Sequence, residues 1–285
     1  MRQIPLQYSR LPKTYRIVER KQETPNVQTL TFGGSLGAHP GQFVMVWVPG
    51  VDEVPMSVAE DDGAVTKITF FNVGDTTKVL AEMHPGDLVG LRGPFGTHYE
   101  WKPGQHNVLV AGGYGAAPMY FLAKETVGSG CSLEVIIGAR SKEHLLFLDA
   151  LEKLPHVSLH VSTNDGSVGH KGCNTDILEK LLESCPRHSD GAKKKECSPI
   201  DQVFACGPEM MLKKISQITE HHEIPSQLSL ERYMKCGYGL CGNCCMDSLG
   251  IRLCCEGPVV KNDVCTKLTE FGRYHRDSLG KKHSF

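Results

Sequence analysis

The sequence has no charge bias: 31 Lys and Arg stand against 32 Asp and Glu, a net charge of −1 with the histidines neutral. A chain whose main ligand is nucleic acid carries a basic excess, so that class is set aside. It also lacks a long apolar run. The longest strongly apolar stretch, residues 43–48, falls far short of the roughly 20 residues needed to cross a bilayer. Residues 1–20 show neither an apolar core nor a cleavage-like site, so no secretory leader is expected and the expected location is the cytoplasm. There is no internal repeat and no low-complexity tract.

Cysteine, by contrast, is plentiful, at 12 residues. In a reducing compartment thiols bind metals rather than pair. Cys131, Cys173, Cys185 and Cys197 read as small buried apolar residues. Four others form a pattern. Cys236, Cys241, Cys244 and Cys254 stand as C-x4-C-x2-C-x9-C, with Gly237, Gly239 and Gly242 between the first three. A glycine-rich loop can turn its backbone N–H groups inward, because positive φ costs glycine nothing, and such a loop suits a [2Fe–2S] cluster. Zinc is the rival, but its structural sites use two separated two-cysteine knuckles, and here only Cys241 and Cys244 make one. Cys245 and Cys255 adjoin two of the four. Neighbouring side chains in an extended loop point apart, so one of each pair ligates. The x2 spacing chooses Cys244; spacing leaves Cys254 and Cys255 open.

The first hundred residues read as strands at 14–20, 27–32, 42–48, 65–71 and 87–92, cut by Gly- and Pro-bearing turns, with one helix over 76–83. That pattern predicts a small antiparallel barrel. After residues 102–104 strand and helix alternate. Strands are expected at 108–111, 133–139, 157–162 and 202–206, and helices from the turn at 112–115 through 125, then at 143–151, 175–183 and 208–222. This predicts a parallel sheet with helices on both faces. The boundaries are 1–103, 104–226 and 227–285, the last being a small cysteine unit with a basic tail. The tail is expected to be partly unstructured or to lie on a partner, and residues 185–199 to form an exposed loop.

Gly112, Gly113 and Gly115 follow a strand and open a helix, the arrangement that brings N–H groups to a pyrophosphate. Glycine turns also serve packing. Cys206, Gly207 and Pro208 end another strand on the same sheet edge, where ligands of parallel sheets bind. Asp165, on that edge too, is either a partner for an adenosine ribose, favouring NAD over NADP, or the side chain of an ordinary Asx turn.

Together these residues carry a resemblance. Pro55-Met56-Ser57, Gly93-Pro94-Phe95-Gly96, the 112–118 turn, Cys206-Gly207-Pro208-Glu209, Ser229-Leu230-Glu231 and Cys236-Gly237-Tyr238-Gly239-Leu240-Cys241 are similar to those of the electron-transfer subunits of dihydroorotate dehydrogenase, in the ferredoxin–NADP reductase superfamily. The resemblance covers nearly the whole length. It implies an FAD-binding barrel, an NAD-binding α/β domain and a C-terminal [2Fe–2S] domain. The flavin segments correspond to Val54, Pro55, Met56 and Ser57, to Phe71, Asn72 and Val73, and to Gly74, Thr76 and Thr77. Ser57 is expected beside the flavin and Cys206 beside the nicotinamide. The resemblance places the fourth cluster ligand at Cys254, two residues before Glu256-Gly257-Pro258-Val259. In two places the sequence departs from the pattern. Val54 replaces an arginine, a role for which Arg92 is the candidate substitute, and Thr76 replaces a glycine. The implied function is electron relay between an FMN-containing catalytic partner that oxidises dihydroorotate and NAD+, within a hetero-oligomer. Hydrogenases, sulfite reductases and ferredoxin:NADP oxidoreductases use similar modules, and a zinc-binding adaptor is a reading of a different class.

Overall fold

The computed structural model describes residues 11–185 and 198–285. Six antiparallel strands close a barrel: β1 (Lys13–Thr24), β2 (Val27–Gly33), β3 (Phe43–Val48), β4 (Asp52–Asp61), β5 (Val65–Phe71) and β6 (Leu88–Phe95), in the order β1-β2-β5-β4-β3-β6. Leu30, Phe32, Val44, Val46, Ile68 and Leu91 fill it. Helix α1 (Asp75–Glu82) plugs one end with Leu80. Strand β4 was not among the expected strands. Its sequence, DEVPMSVAED, carries four acids and a proline, and its strand state comes from pairing with β3, Phe43 opposite Ser57 and Val48 opposite Asp52.

The second unit is a sheet in the order β10-β9-β8-β7-β11-β12-β15. Its strands are β7 (His106–Gly112), β8 (Ser132–Ala139), β9 (Val157–Thr163), β10 (His170–Lys171), β11 (Gln202–Cys206) and β12 (Ser226–Ser229), all parallel. Helices α2 (Ala116–Gly128), α4 (Asn174–Ser184) and α5 (Glu209–His221) pack against it. The helix expected over 143–151 is instead a short 3-10 turn and a five-residue α3 (Leu148–Glu152). Between them Leu146 is buried, and Phe147 takes a left-handed φ of 62° that stacks its ring on Tyr120. Packing of these apolar side chains overrides the helical propensity of the stretch.

β15 (Val259–Lys261), from the cysteine unit, pairs antiparallel with β12. The sheet therefore continues past residue 226, the boundary expected from sequence. The rest of this unit holds the hairpin β13 (Cys245–Met246) and β14 (Ile251–Arg252), α6 (Leu253–Glu256), α7 (Asn262–Cys265), and a second hairpin, β16 (Tyr274–Arg276) with β17 (Lys282–Ser284). The basic tail is thus folded. Asp247 holds it, accepting from the Tyr274 hydroxyl at 2.7 Å and Arg276 at 2.8 Å. Most of the expected 185–199 loop, with Cys197, lies outside the described residues. Cys131 is buried, but Cys173 is exposed at the start of α4, and Cys185 is half-buried with its sulfur in a disulfide. Among the described residues no helix is long and apolar enough to cross a membrane.

Candidate functional site

A cleft of about 680 Å³ opens where the three units meet. The barrel contributes Val54, Pro55, Met56 and Ser57 from β4, then Phe71, Val73, Gly74, Thr76 and Thr77 from the end of β5 and the start of α1. The sheet contributes Tyr114, Pro118 and Cys206, and the segment after β12 contributes Leu230 and Glu231. Most of the residues expected at the flavin therefore share one wall, facing Cys206. Asn72 sits between wall residues without lining the cleft.

Gly74 caps α1 without a side chain. The Thr77 hydroxyl closes the turn, accepting the N–H groups of Val73 at 3.0 Å and Gly74 at 2.8 Å and donating to the Gly74 carbonyl at 2.9 Å. Residues 74–77 thus present a helix N-terminus to the cleft, a favourable place for phosphate. Among the described residues lining the cleft, the one basic side chain is Arg232, and it is engaged elsewhere. Its Nε donates to Glu270 at 2.5 Å and its Nη2 to Glu209 at 3.1 Å. Arg92 does not replace the arginine missing at position 54. It lies outside the cleft, between Glu53 and the cysteine loop. An apolar wall ending in a helix N-terminus suits a flavin with a pyrophosphate; among the described residues no free cation faces that pyrophosphate.

The glycines of the two sheet turns are spacers. A Cβ on Gly115 would lie 2.3 Å from the Cys206 carbonyl oxygen, one on Gly112 would meet Met211 at 2.7 Å, and one on Gly207 would lie 2.9 Å from the Gly112 nitrogen. They bring the ends of β7 and β11 together behind the cleft, and Pro208 packs against Gly112 there. Gly113, with φ 56°, faces open space. The Cys206 thiol is buried and pushed up to about 12, chiefly by desolvation and then by the Glu231 charge, so it stays protonated. Glu231 reaches across the cleft and accepts a hydrogen bond from the Tyr114 hydroxyl at 2.9 Å. The enclosing walls raise its pKa above the usual carboxylate range. Asp165 is exposed on the strand-end side of the sheet. Its Oδ1 accepts the Ser167 N–H at 2.9 Å and hydroxyl at 2.7 Å, an Asx turn, and these bonds hold its pKa down.

The four cysteines gather beside the cleft, on the same end of the barrel. Gly237, at φ 75°, lets the loop approach Met45 and Phe95, where a Cβ would come within 3.0 Å and 3.2 Å. Gly239 (φ 81°) and Gly242 (φ 76°) keep the loop turned inward. The Cys236 sulfur accepts the N–H groups of Leu240 at 3.2 Å and Cys241 at 3.4 Å. The Cys254 sulfur accepts that of Gly239 at 3.0 Å, and the Cys244 sulfur that of Cys254 at 3.5 Å. Burial opposes ionisation of Cys236, but the N–H groups of Cys241, Tyr238 and Leu240 outweigh it and bring the thiol down to about 7. Cys244 is brought down to about 6, chiefly by the Cys254 thiol that bonds to it, and Cys254 is correspondingly raised. The side-chain interactions that move these thiols join Cys236 with Cys241 and Cys244 with Cys254, and the Cys254 sulfur also lies 3.7 Å from that of Cys255. Among the described residues no three His, Cys, Asp or Glu side chains converge on a single ion position. Four cysteines on one loop and its hairpin, with backbone N–H groups turned onto three of the sulfurs, suit the donor set of a two-iron cluster.

Sequence reasoning missed three contacts: Arg92 with Glu53, Tyr114 with Glu231, and Arg232 with Glu209 and Glu270. Each joins residues distant in sequence, and the only signal was proximity to the motifs Val54–Ser57 and Ser229–Glu231.

Comparison with known proteins fits this geometry. Residues 231–264 match the family model described as the iron–sulfur cluster binding domain of dihydroorotate dehydrogenase B, and residues 109–217 that of the oxidoreductase NAD-binding domain. A protein of Methanocaldococcus jannaschii, described as "Probable dihydroorotate dehydrogenase B (NAD(+)), electron transfer subunit", is 40% identical over 271 residues, 95% of this chain and 98% of the relative. One of Pyrococcus horikoshii with the same description is 40% identical over 88% of this chain and 90% of its own length. Among solved structures, the NADH-dependent reduced ferredoxin-NADP oxidoreductase superposes with a TM-score of 0.75 at 28% identity, covering 89% of each chain. The ferredoxin reductase of carbazole 1,9a-dioxygenase, at 16% identity and a TM-score of 0.63 over 78% of this chain and 68% of its own, shares the fold. The chain belongs to the family of dihydroorotate dehydrogenase B (NAD+) electron transfer subunits.

Proposed function

We propose that this chain is the electron-transfer subunit of a dihydroorotate dehydrogenase, carrying electrons from an FMN-containing catalytic partner through a [2Fe–2S] cluster and FAD to NAD+, in pyrimidine synthesis in the cytoplasm. One observation carries the reading: the cofactor cleft and the paired cysteines lie on the same end of the barrel, with Phe43 lining the cleft and the neighbouring Met45 and Phe95 touching Gly237. When bound, FAD exchanges electrons in pairs with a nicotinamide and singly with a cluster, and the chemistry belongs to these groups.

The chain's own residues bind and orient. Val54, Pro55, Met56 and Ser57 with Phe71, Asn72 and Val73 form the flavin seat; Gly74, Thr76 and Thr77 receive its pyrophosphate. Gly112, Gly113 and Gly115, with Cys206, Gly207 and Pro208, shape the nicotinamide side, and the uncharged Cys206 thiol keeps that wall neutral. Asp165 meets the adenosine ribose with the carboxylate oxygen its turn does not use, which favours NAD. Cys236, Cys241, Cys244 and Cys254 hold the cluster. The division 1–103, 104–226 and 227–285 separates these three tasks.

The purified chain should contain FAD, iron and sulfide. Mixed with the catalytic subunit it should form NADH from dihydroorotate faster than either component alone; no gain in rate overturns the reading. The structural likeness to the ferredoxin-NADP oxidoreductase supports a second one. Reduction of NADP+ by reduced ferredoxin, with no gain from the catalytic subunit, would select it.

A further inference from the structure

Arg92 is a buried cation that the cleft does not use. It sits on β6, opposite Met45 of β3, and is 5% exposed. Its Nε and Nη2 donate to the two carboxylate oxygens of Glu53 at 2.8 and 2.6 Å. Its Nη1 donates to the backbone carbonyl of Cys236 at 2.7 Å. The rings of Phe95 and Tyr238 lie 5.4 and 5.5 Å from the guanidinium carbon. Each of the three guanidinium nitrogens thus donates a hydrogen bond in a fixed planar fork, as a lysine could not. Glu53 immediately precedes the strand segment Val54–Ser57 that lines the cleft. One ion pair therefore ties the proposed flavin wall to the first cluster ligand, across 144 residues of sequence.

We propose that Arg92 is a positioning residue for the cluster: held by Glu53, it fixes Cys236 against the barrel, and the balance of the two charges keeps either one from shifting the cluster's reduction potential. The inference rests on the function proposed above. Its physical basis is charge. A cluster gains one negative charge on reduction, and a fixed charge at contact distance from its ligand loop, as the buried Arg92 guanidinium is, biases that step. Arg92 alone would favour the reduced cluster and Glu53 alone would oppose it; paired, they cancel. Among the described residues, Lys235 and Asp52 also line the groove beside this pair, with opposite charges.

The test is a redox titration of the holoprotein, followed by the electron paramagnetic resonance of the reduced cluster. Glu53→Gln leaves the cation unbalanced and should raise the potential. Arg92→Gln leaves the carboxylate unbalanced and should lower it. Each shift should approach tenfold in the reduction equilibrium, about 59 mV for one electron. The double variant should return towards the wild-type value. A purely structural role would not give shifts of opposite sign that cancel. Shifts of the same sign, or none, in protein that carries its cluster overturn the inference and leave the proposed function standing. Should Arg92→Gln fail to load a cluster, Glu53→Gln decides alone: an unmoved or lowered potential overturns the inference. Wild-type protein that loads no cluster overturns the proposed function and the inference together.

Discussion

Cys254 and Cys255 are adjacent and differ in surroundings. Cys254 is buried and takes the Gly239 N–H at 3.0 Å; Cys255 is half-buried, its sulfur 3.7 Å away. Cys254→Ser should therefore abolish the cluster's visible absorbance and lower the iron and sulfide content at least severalfold, whereas Cys255→Ser should keep both close to wild type. Equal loss in the two would mean that the ligand assignment is wrong. At Val54 the effect should be a gain. Among the described residues the cleft holds no unengaged cation, so Val54→Arg should strengthen FAD binding by about 1 kcal/mol, roughly fivefold, as measured by fluorescence titration of flavin-free protein. At this scale the sequence was most readable where ligands crowd together. The x4 and x2 spacings fall within one loop, and the loop's own backbone turns N–H groups onto the sulfurs. It is least readable at Arg92, the candidate cation for the cleft, whose side chain is taken instead by Glu53 of β4, reaching across the intervening β3.

Elements came through the sequence according to how locally they are determined. Four of the six parallel strands, β7, β8, β9 and β11, are short apolar runs whose expected bounds lie within about two residues of the observed ones; β10 and β12, too short or too polar to stand out, are not among the expected strands. Strand β4 was not visible, because its acids and Pro55 break the alternation and only β3 and β5 hold it extended. The expected 143–151 helix failed because Leu146 and Phe147 have better contacts outside a helix. The glycine turns were legible as motifs but not in their purpose: Gly115 brings α2 against the end of β11. Gly115→Ala would drive a methyl to 2.3 Å from the Cys206 carbonyl. It should cost about 1–3 kcal/mol, seen as a lower denaturant midpoint, and should weaken NADH binding because Cys206 moves with the strand. An unchanged midpoint would show that the two turns can part without cost.

Across the whole molecule, stability should follow pH through a charge cluster remote from the cleft. Glu134 of β8 accepts from His160 of β9 at 2.6 Å and lies 3.6 Å from His106 of β7. Burial opposes its charge, but the two imidazoles outweigh burial and hold Glu134 at about 2, while Glu134 raises His106 above its usual 6.5. The glutamate's contribution is complete above about pH 4.5 and fades as pH falls towards 2. The His106 contribution is complete below about 6.5 and fades as pH rises through its elevated value. Glu134→Gln should accordingly lower the melting temperature most between about pH 4.5 and 6.5, by roughly 2–4 °C for a loss of about 1 kcal/mol, and less at pH 9. A difference that does not vary with pH would remove the ionic explanation. Fold class and domain order were legible at this scale because each unit has its own periodicity. The seams between units were not, since they join residues distant in sequence, such as Lys124 with Glu60, Thr97 with the Gly257 and Val259 carbonyls, and β12 with β15.

The strand β15 gives one of those seams a consequence for assembly. Val259–Lys261 follows Cys254 by only a few residues, and it covers the β12 edge of the nucleotide-binding sheet. A chain whose cysteine loop has not closed therefore holds its cover strand loosely, and an uncovered β edge invites pairing with other chains. Iron loading and colloidal behaviour become linked: the same event that equips the protein to pass electrons also holds the strand that covers the β12 edge.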